Sequence, residues 1–340
     1  MRSHPPSLAI WSGIVALYVI WGTTYLGIAF AIQTIPPFVM IAVRFALAGV
    51  LLMGIVAVRD GGLRRPTPRE LRDSLVVGTG LVAIGNAFVG WGEQTVPTGV
   101  AALLIALMPA WVAALGRILY GDRLPRLAVV GIVTGLAGIV LLSWPTDGRL
   151  ALEPYGLGAL LLAPIGWSLG SLYSAKNARL PSPPLLATAY QMIGGALVGL
   201  VFAGVTGELA TFSPAAVSDQ SLLAMAYLTL VGSLIGYTTY GWLIRVAPLS
   251  RVTTYAYVNP IVAVALGAIV LHESITPRTL AASIVIIVAV ALIVTARSRG
   301  VAVRRPDELE PATRLPPASE RTGAGTRTVN RDRLPAGPTV

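Results

Sequence analysis

LAIWSGIVALYVIWGTTYLGIAFAI, residues 8–32, contains no charged side chain. As a helix rising 1.5 Å per residue, a run of this length covers the roughly 30 Å of hydrocarbon in a bilayer. A barrel strand would show alternation of polar and apolar residues over about ten positions, which is missing here. The run is also too long for the h-region of a cleavable leader, about 7–15 residues, and no small-residue cleavage site follows it. It is predicted to be the first span of an all-helical integral membrane protein.

The rest of the chain repeats the pattern. Of 340 residues, 55% are hydrophobic and only 12% charged, against about 25% charged in soluble domains. Ten apolar runs of spanning length are predicted, at 8–32, 37–58, 74–92, 97–119, 127–144, 155–175, 184–205, 220–244, 251–271 and 278–296. Connections such as Gln33 to Pro36 and Glu93 to Val96 are too short to hold soluble domains.

Charge sets the expected orientation. With the amino terminus inside, the inner segments before the tail hold Arg2, Arg59, Arg64, Arg65, Arg69, Arg72, Arg117, Arg123, Arg126, Lys176, Arg179, Arg245 and Arg251, whereas the outer loops hold only Arg149 and Arg278. The positive-inside rule then places both termini in the cytoplasm of a multi-pass protein of the cell membrane. Residues 297–340 carry nine Arg and five Asp or Glu; such a segment cannot bury enough apolar surface to fold alone, and it is expected to be a disordered cytoplasmic tail. The net charge of +10 is spread singly between apolar runs, without the basic stripe and stacking aromatics of a nucleic-acid site, so no nucleic-acid partner is expected. No Cys and two His leave no basis for a disulfide framework, thiolate chemistry or a His-rich metal centre, and no metal or cofactor is expected.

The chain also matches itself. A displacement of 151 places Ile84, Gly85, Gly90, Trp91, Pro97, Pro109, Ala114, Gly116 and Leu141 on Ile235, Gly236, Gly241, Trp242, Pro248, Pro260, Ala265, Gly267 and Leu292, and Asp122 on Glu273. A displacement of 146 places Trp21 on Trp167, Pro37 on Pro183 and Gly49 on Gly195. The predicted organisation is two five-helix repeats, 1–146 and 147–296, followed by the tail. An odd number of spans inverts the second repeat relative to the first, which supplies the mirrored packings of alternating access.

Several strings resemble the EamA family of the drug/metabolite transporter superfamily: Ile20-Trp21-Gly22-Thr23-Thr24-Tyr25, Pro36-Pro37, Arg44-Phe45, Ala48-Gly49, Val96 through Leu104, and Met108-Pro109. Val258-Asn259-Pro260-Ile261 and Leu271 through Thr276 repeat the resemblance in the second half. It covers residues 8–296 and implies a ten-helix secondary transporter, commonly an exporter of amino acids, other metabolites or drugs. It does not fix the substrate.

Arg44 lies about seven residues into the second span, roughly 10 Å deep, where an ionised side chain is costly unless paired or wet. Its partner would be a carboxylate or phosphate on a substrate, or else it snorkels or locks a carbonyl. Deep aromatic and polar groups, namely Trp21, Tyr25, Asn86, Trp167, Ser171, Tyr237, Tyr255 and Asn259, need polar partners that a substrate cavity would provide. Glu93, at the outer end of the third span, is the one nearby carboxylate for proton coupling; an ordinary solvated charge is the alternative. Pro109 and Pro260, at matched points, are expected to kink the fourth and ninth spans as hinges.

Gly166-x-Ser168-x-Gly170 matches the nucleophile-elbow pattern, but an elbow needs a strand–turn–helix and Ser168 falls within a span. Gly131-x-x-x-Gly135 and Gly195-x-x-x-Gly199 read as helix-packing motifs. No Walker motif is present, so an ion gradient is the expected driving force. The function expected is therefore a secondary transporter, an exporter of a small organic metabolite, and not an enzyme; an uncoupled facilitator or channel is the alternative, ahead of an intramembrane enzyme using Ser168. The expected partners are the small-molecule substrate, the bilayer and protons, in a monomer or homodimer.

Overall fold

The computed structural model describes residues 6–144, 152–247, 249–252 and 254–302. The boundary expected between the repeats, and residues 303–340 of the expected tail, lie outside these, whereas residues 297–302, expected to begin the disordered tail, continue the last helix. The described elements are helical throughout: α1 (Ser7–Ala31), α2 (Pro37–Asp60), α3 (Pro68–Gly78), α4 (Ala87–Gly92), α5 (Thr98–Ala106), α6 (Met108–Tyr120), α7 (Arg126–Ser143), α8 (Pro154–Lys176), α9 (Pro184–Val205), α10 (Glu208–Thr211), α11 (Asp219–Tyr227), α12 (Gly236–Val246), α13 (Leu249–Val252), α14 (Tyr255–Val270) and α15 (Pro277–Ala302), with a short 3₁₀ turn at Pro214–Ala216. Proline opens α2, α3, α8, α9 and α15, where its missing N–H is one that the helix leaves unpaired anyway. Gly61 and Gly121 close α2 and α6 at φ 71° and 69°, left-handed values that a β-carbon disfavours.

Among the described residues, nine helical stretches are long and apolar enough to cross a membrane. The run expected as the ninth span, 251–271, holds α14, an apolar helix of 16 residues, with the short α13 before it. Two spans contain π-helix. Thr79–Ile84 joins α3 towards α4, and Leu228–Ile235 joins α11 to α12. They end on Ile84 and Ile235, which the displacement of 151 superposes. The wider turn of a π segment shifts the register of side chains after it, and such segments gather at functional sites.

Large apolar side chains such as Val15, Leu47, Val50, Val133, Leu136 and Ile284 are exposed on the outside of the bundle, as lipid-facing positions require. Between helices the contacts fall on glycine. A β-carbon built on Gly78 would sit 2.1 Å from the carbonyl oxygen of Gln191, and one on Gly195 2.5 Å from that of Gly78, so α3 and α9 touch backbone to backbone. A β-carbon on Gly131 of α7 would likewise sit 2.9 Å from the Ala289 carbonyl oxygen of α15. Close approach of this kind holds helices together where lipid removes the hydrophobic drive.

Acidic side chains tie the ends of the bundle. At the end away from the start of α1, here the distal end, Glu208 Oε2 accepts from the N–H groups of Phe38 and Val39 at 2.8 and 3.1 Å. Glu273 accepts there from Thr98 and Gly99 at 2.6 and 3.1 Å. Each carboxylate satisfies donors that a helix start leaves unpaired. At the opposite, proximal end Asp73 accepts from Tyr173 Oη at 2.9 Å and from Arg179 N at 2.8 Å, and Lys176 pairs with Asp122. Asp122 and Glu273 each pack over a glycine that the displacement of 151 also matches, Gly116 and Gly267.

Candidate functional site

The span formed by α5 and α6 is interrupted at Leu107, and the interruption opens the bundle interior. A cavity of about 110 Å³ lies there, lined from α1 by Trp21, Thr24, Tyr25 and Ile28, from α2 by Arg44, and from the third span by Gly85, Asn86 and Val89. Ala102, Ile105, Ala106 and Met108 line it from α5 and α6; Ala163, Pro164 and Trp167 from α8; Tyr237 from α12; and Tyr255, Ala256, Asn259 and Pro260 from α14. Space of this size admits several waters or a small solute.

Arg44 is the charge in this wall. Only 2% of it is exposed, so it does not snorkel. Its Nε donates to Ser233 Oγ at 2.9 Å, and its guanidinium carbon lies 4.8 Å from the Phe45 ring centroid. Gly232 makes room for it, since a β-carbon there would stand 3.1 Å from Nη2. No described carboxylate pairs with it, and Nη1 is buried without a hydrogen-bond partner. Across the cavity Asn259 Oδ1 is also buried and unpartnered. One wall thus offers an unused charged donor and another an unused acceptor.

An aromatic cluster lines the same cavity. The Trp21 ring lies 4.9 Å from Tyr255, 5.4 Å from Tyr240 and 5.9 Å from Tyr237, and Trp167 lies 6.4 Å from Tyr237. Separations of 4.5–7 Å with tilted or edge-on planes are favourable for aromatic pairs. The two indoles are seated reciprocally. Trp21 packs over Gly236, where a β-carbon would fall 2.6 Å from its Nε1, and Trp167 packs over Gly85, where the distance is 2.9 Å. Asn86 Nδ2 donates to the carbonyl of Leu81 at 2.8 Å and lies 3.5 Å from Tyr237 Oη. The π segment therefore fixes the Asn86 amide at the cavity wall.

Of the residues expected at the site, Trp21, Tyr25, Arg44, Asn86, Trp167, Tyr237, Tyr255 and Asn259 share this cavity. Ser171, one turn beyond Trp167, is not among its lining residues, and neither is Glu93, which lies one turn beyond Val89. Pro260 is inside α14 and lines the cavity, whereas Pro109 takes the second position of α6, directly after the break. In the fourth span the regular helix thus breaks at one residue, Leu107, two before the Pro109 expected to kink it. Ser168 Oγ donates to the Pro164 carbonyl at 2.6 Å within α8, a bond that holds it to its own helix. Ser233 and Gly232 escape a reading of the sequence because nothing local marks them; only the approach of α2 gives them their role. Among the described residues no group of three or more His, Cys, Asp or Glu could hold a metal ion.

The pattern of the EamA-like transporter family matches residues 9–144 and 154–295. An uncharacterized inner membrane transporter of Escherichia coli K12, YedA, is 36% identical over 287 residues, covering 84% of this chain and 90% of the relative. A probable amino-acid metabolite efflux pump of Salmonella typhimurium is 25% identical over 290 residues, covering 81% and 91%. A solved crystal structure superposes with a TM-score of 0.57 at 22% identity, over 87% of this chain and 99% of that one, a likeness of fold.

Proposed function

Because the chain belongs to the EamA-like transporter family, we propose that it is a secondary transporter that exports a small organic solute bearing an acidic group, by alternating access around the cavity at Arg44. The observation that carries this reading is the buried, unpaired Nη1 of Arg44 in a cavity walled by aromatic rings. A guanidinium placed so is stabilised by a carboxylate or phosphate that enters, binds and leaves. The aromatic walls would hold the apolar body of the solute, and Asn259 Oδ1 would accept from a donor on it.

Two inverted repeats, 1–146 and 147–296, fit this mechanism. The matched π segments, the reciprocal seating of Trp21 and Trp167, and the matched Gly116–Asp122 and Gly267–Glu273 contacts all support duplication. The break before Pro109 and the internal Pro260 are the hinge points of the proposed rocking. Purified protein in liposomes, offered a panel of amino acids, hydroxy acids and small phosphate esters, should give saturable flux and counterflow for at least one acidic solute. Flux that neither saturates nor exchanges would assign a channel instead.

The orientation proposed is that of a cell-membrane protein with both termini in the cytoplasm. The native chain has no Cys, so single cysteines report side directly. In intact cells an impermeant maleimide should label Gly207→Cys and leave Gly62→Cys unlabelled; the reverse pattern would invert the topology.

A further inference from the structure

Glu93 is the first residue past the span that ends at Gly92, and it caps the C-terminus of α4. Helix carbonyls concentrate about half a negative charge at such a position, which disfavours a second one. Both carboxylate oxygens are buried, and neither has a hydrogen-bond partner. Glu273 is a contrasting carboxylate, since it sits at a helix start and accepts from two N–H groups. The two acids thus have opposite surroundings, one carboxylate without a donor and the other held by two.

The position of Glu93 is equally specific. On one side Val89, a turn back on the same helix, and Tyr25, on which the charge of Glu93 acts, both line the central cavity. On the other side Glu273, whose charge acts on Glu93, lines a distal hollow of about 650 Å³ with Thr95, Pro97 and Gly99. Glu273 of the 271–276 connection acts on Glu93, and Glu93 in turn acts on Tyr25 of α1; of the helices packed on α4, α2 carries the charged Arg44.

We propose that Glu93 is a proton-binding site set between the central cavity and the distal hollow, and that it couples transport to the proton gradient. The coupling rests on the transporter reading above; the proton site does not. Loading forms one O–H bond at a Glu93 carboxylate oxygen, with the proton taken from hydronium in the distal hollow and a water released. Unloading returns that proton to water on the cavity side when the bundle opens there, and no other bond changes. Burial, with the charge of Glu273 second, pushes the Glu93 carboxyl up.

The test uses dicyclohexylcarbodiimide, which modifies protonated carboxyls in apolar surroundings, on the purified full-length protein. At pH 7 the adduct should map to the peptide containing Glu93, and labelling should fall about tenfold per pH unit once pH passes the pKa of the group. Glu93→Gln should lose the adduct and a protonated-carboxyl infrared band. An adduct confined to Glu273, Glu208 or Glu153, or a band unchanged in Glu93→Gln, overturns the proton site. In liposomes, Glu93→Gln should still exchange whichever panel solute the wild type carries but fail to accumulate it under an imposed pH gradient. Accumulation equal to wild type overturns the coupling. If no panel solute moves in the wild type, the transport reading fails while the carbodiimide result still decides the site.

Discussion

Arg44→Ala should abolish measurable saturable flux while the protein remains in the membrane at wild-type level. The reason is the imbalance around the guanidinium. Its hydrogen bond to protein runs to Ser233 Oγ, Nη1 has none, and no described carboxylate neutralises the charge. A side chain held in that way burdens the empty protein, because a charge within a span costs about 3 kcal/mol even on insertion scales. Removing it relieves that cost, and the Ser233 hydroxyl can turn to a carbonyl of its own helix. The solute, by contrast, loses its counter-ion. Truncating one member of a buried charged pair costs about 2–5 kcal/mol, on the order of a thirtyfold to several thousandfold loss of affinity. Arg44→Lys should keep part of the flux at a raised KM, since an ammonium restores the charge but not the planar fork. Membrane immunoblots alongside liposome flux check both expectations. If Arg44→Ala vanishes from the membrane, the residue serves structure instead.

The second large effect concerns stability. Gly78→Ala should strip the protein of its folded form, whereas Gly54→Ala should leave the melting midpoint where it is. The substitutions are chemically identical and both lie in spans. At Gly78 the new methyl would stand 2.1 Å from the Gln191 carbonyl oxygen and 2.8 Å from Gly195 N, but at Gly54 it would meet nothing within 4 Å. Backbone atoms of a packed helix cannot turn aside as a side chain can, so the conflict must separate α3 from α9. Overpacking that can relax costs about 1–3 kcal/mol, and this contact belongs at or above the upper end. A thermal melt followed by size-exclusion chromatography reads the difference; equal midpoints for the two variants would refute the close approach of α3 and α9.

How much of this could be read from the chain alone follows from what kind of signal each feature leaves. The spans are legible because charge is excluded from hydrocarbon, and the deep Trp, Tyr, Asn and Arg residues are legible because each demands a partner there. Eight such residues do meet at one cavity. Ser171 matches them in chemistry but stands a turn too far along α8, a distinction no single sequence carries. Ile28, Val89, Ala163 and Met108 line the cavity unnoticed, since an apolar residue facing solute looks the same as one facing lipid. The π segments and the break at Leu107 are settled by packing between helices, so their local sequence reads as ordinary span. The same holds for α14, where an apolar run of spanning length yields only 16 helical residues.

The exchanged seating of the two indoles bears on the order in which the molecule is assembled. Synthesis delivers Trp21 early, yet the notch that receives it, at Gly236, emerges only with the eighth span; the notch at Gly85 waits for Trp167. Until α8 is inserted, the amino-terminal helices hold a groove without a ring, and until α12 is inserted, a large ring without a seat. Neither portion of the chain can close its own interior, and the wall of the cavity exists only once translation is nearly complete. A nascent chain that stalls between α8 and α12 therefore presents the membrane quality-control machinery with an unseated Trp21 indole, which separates an unfinished molecule from a mature one.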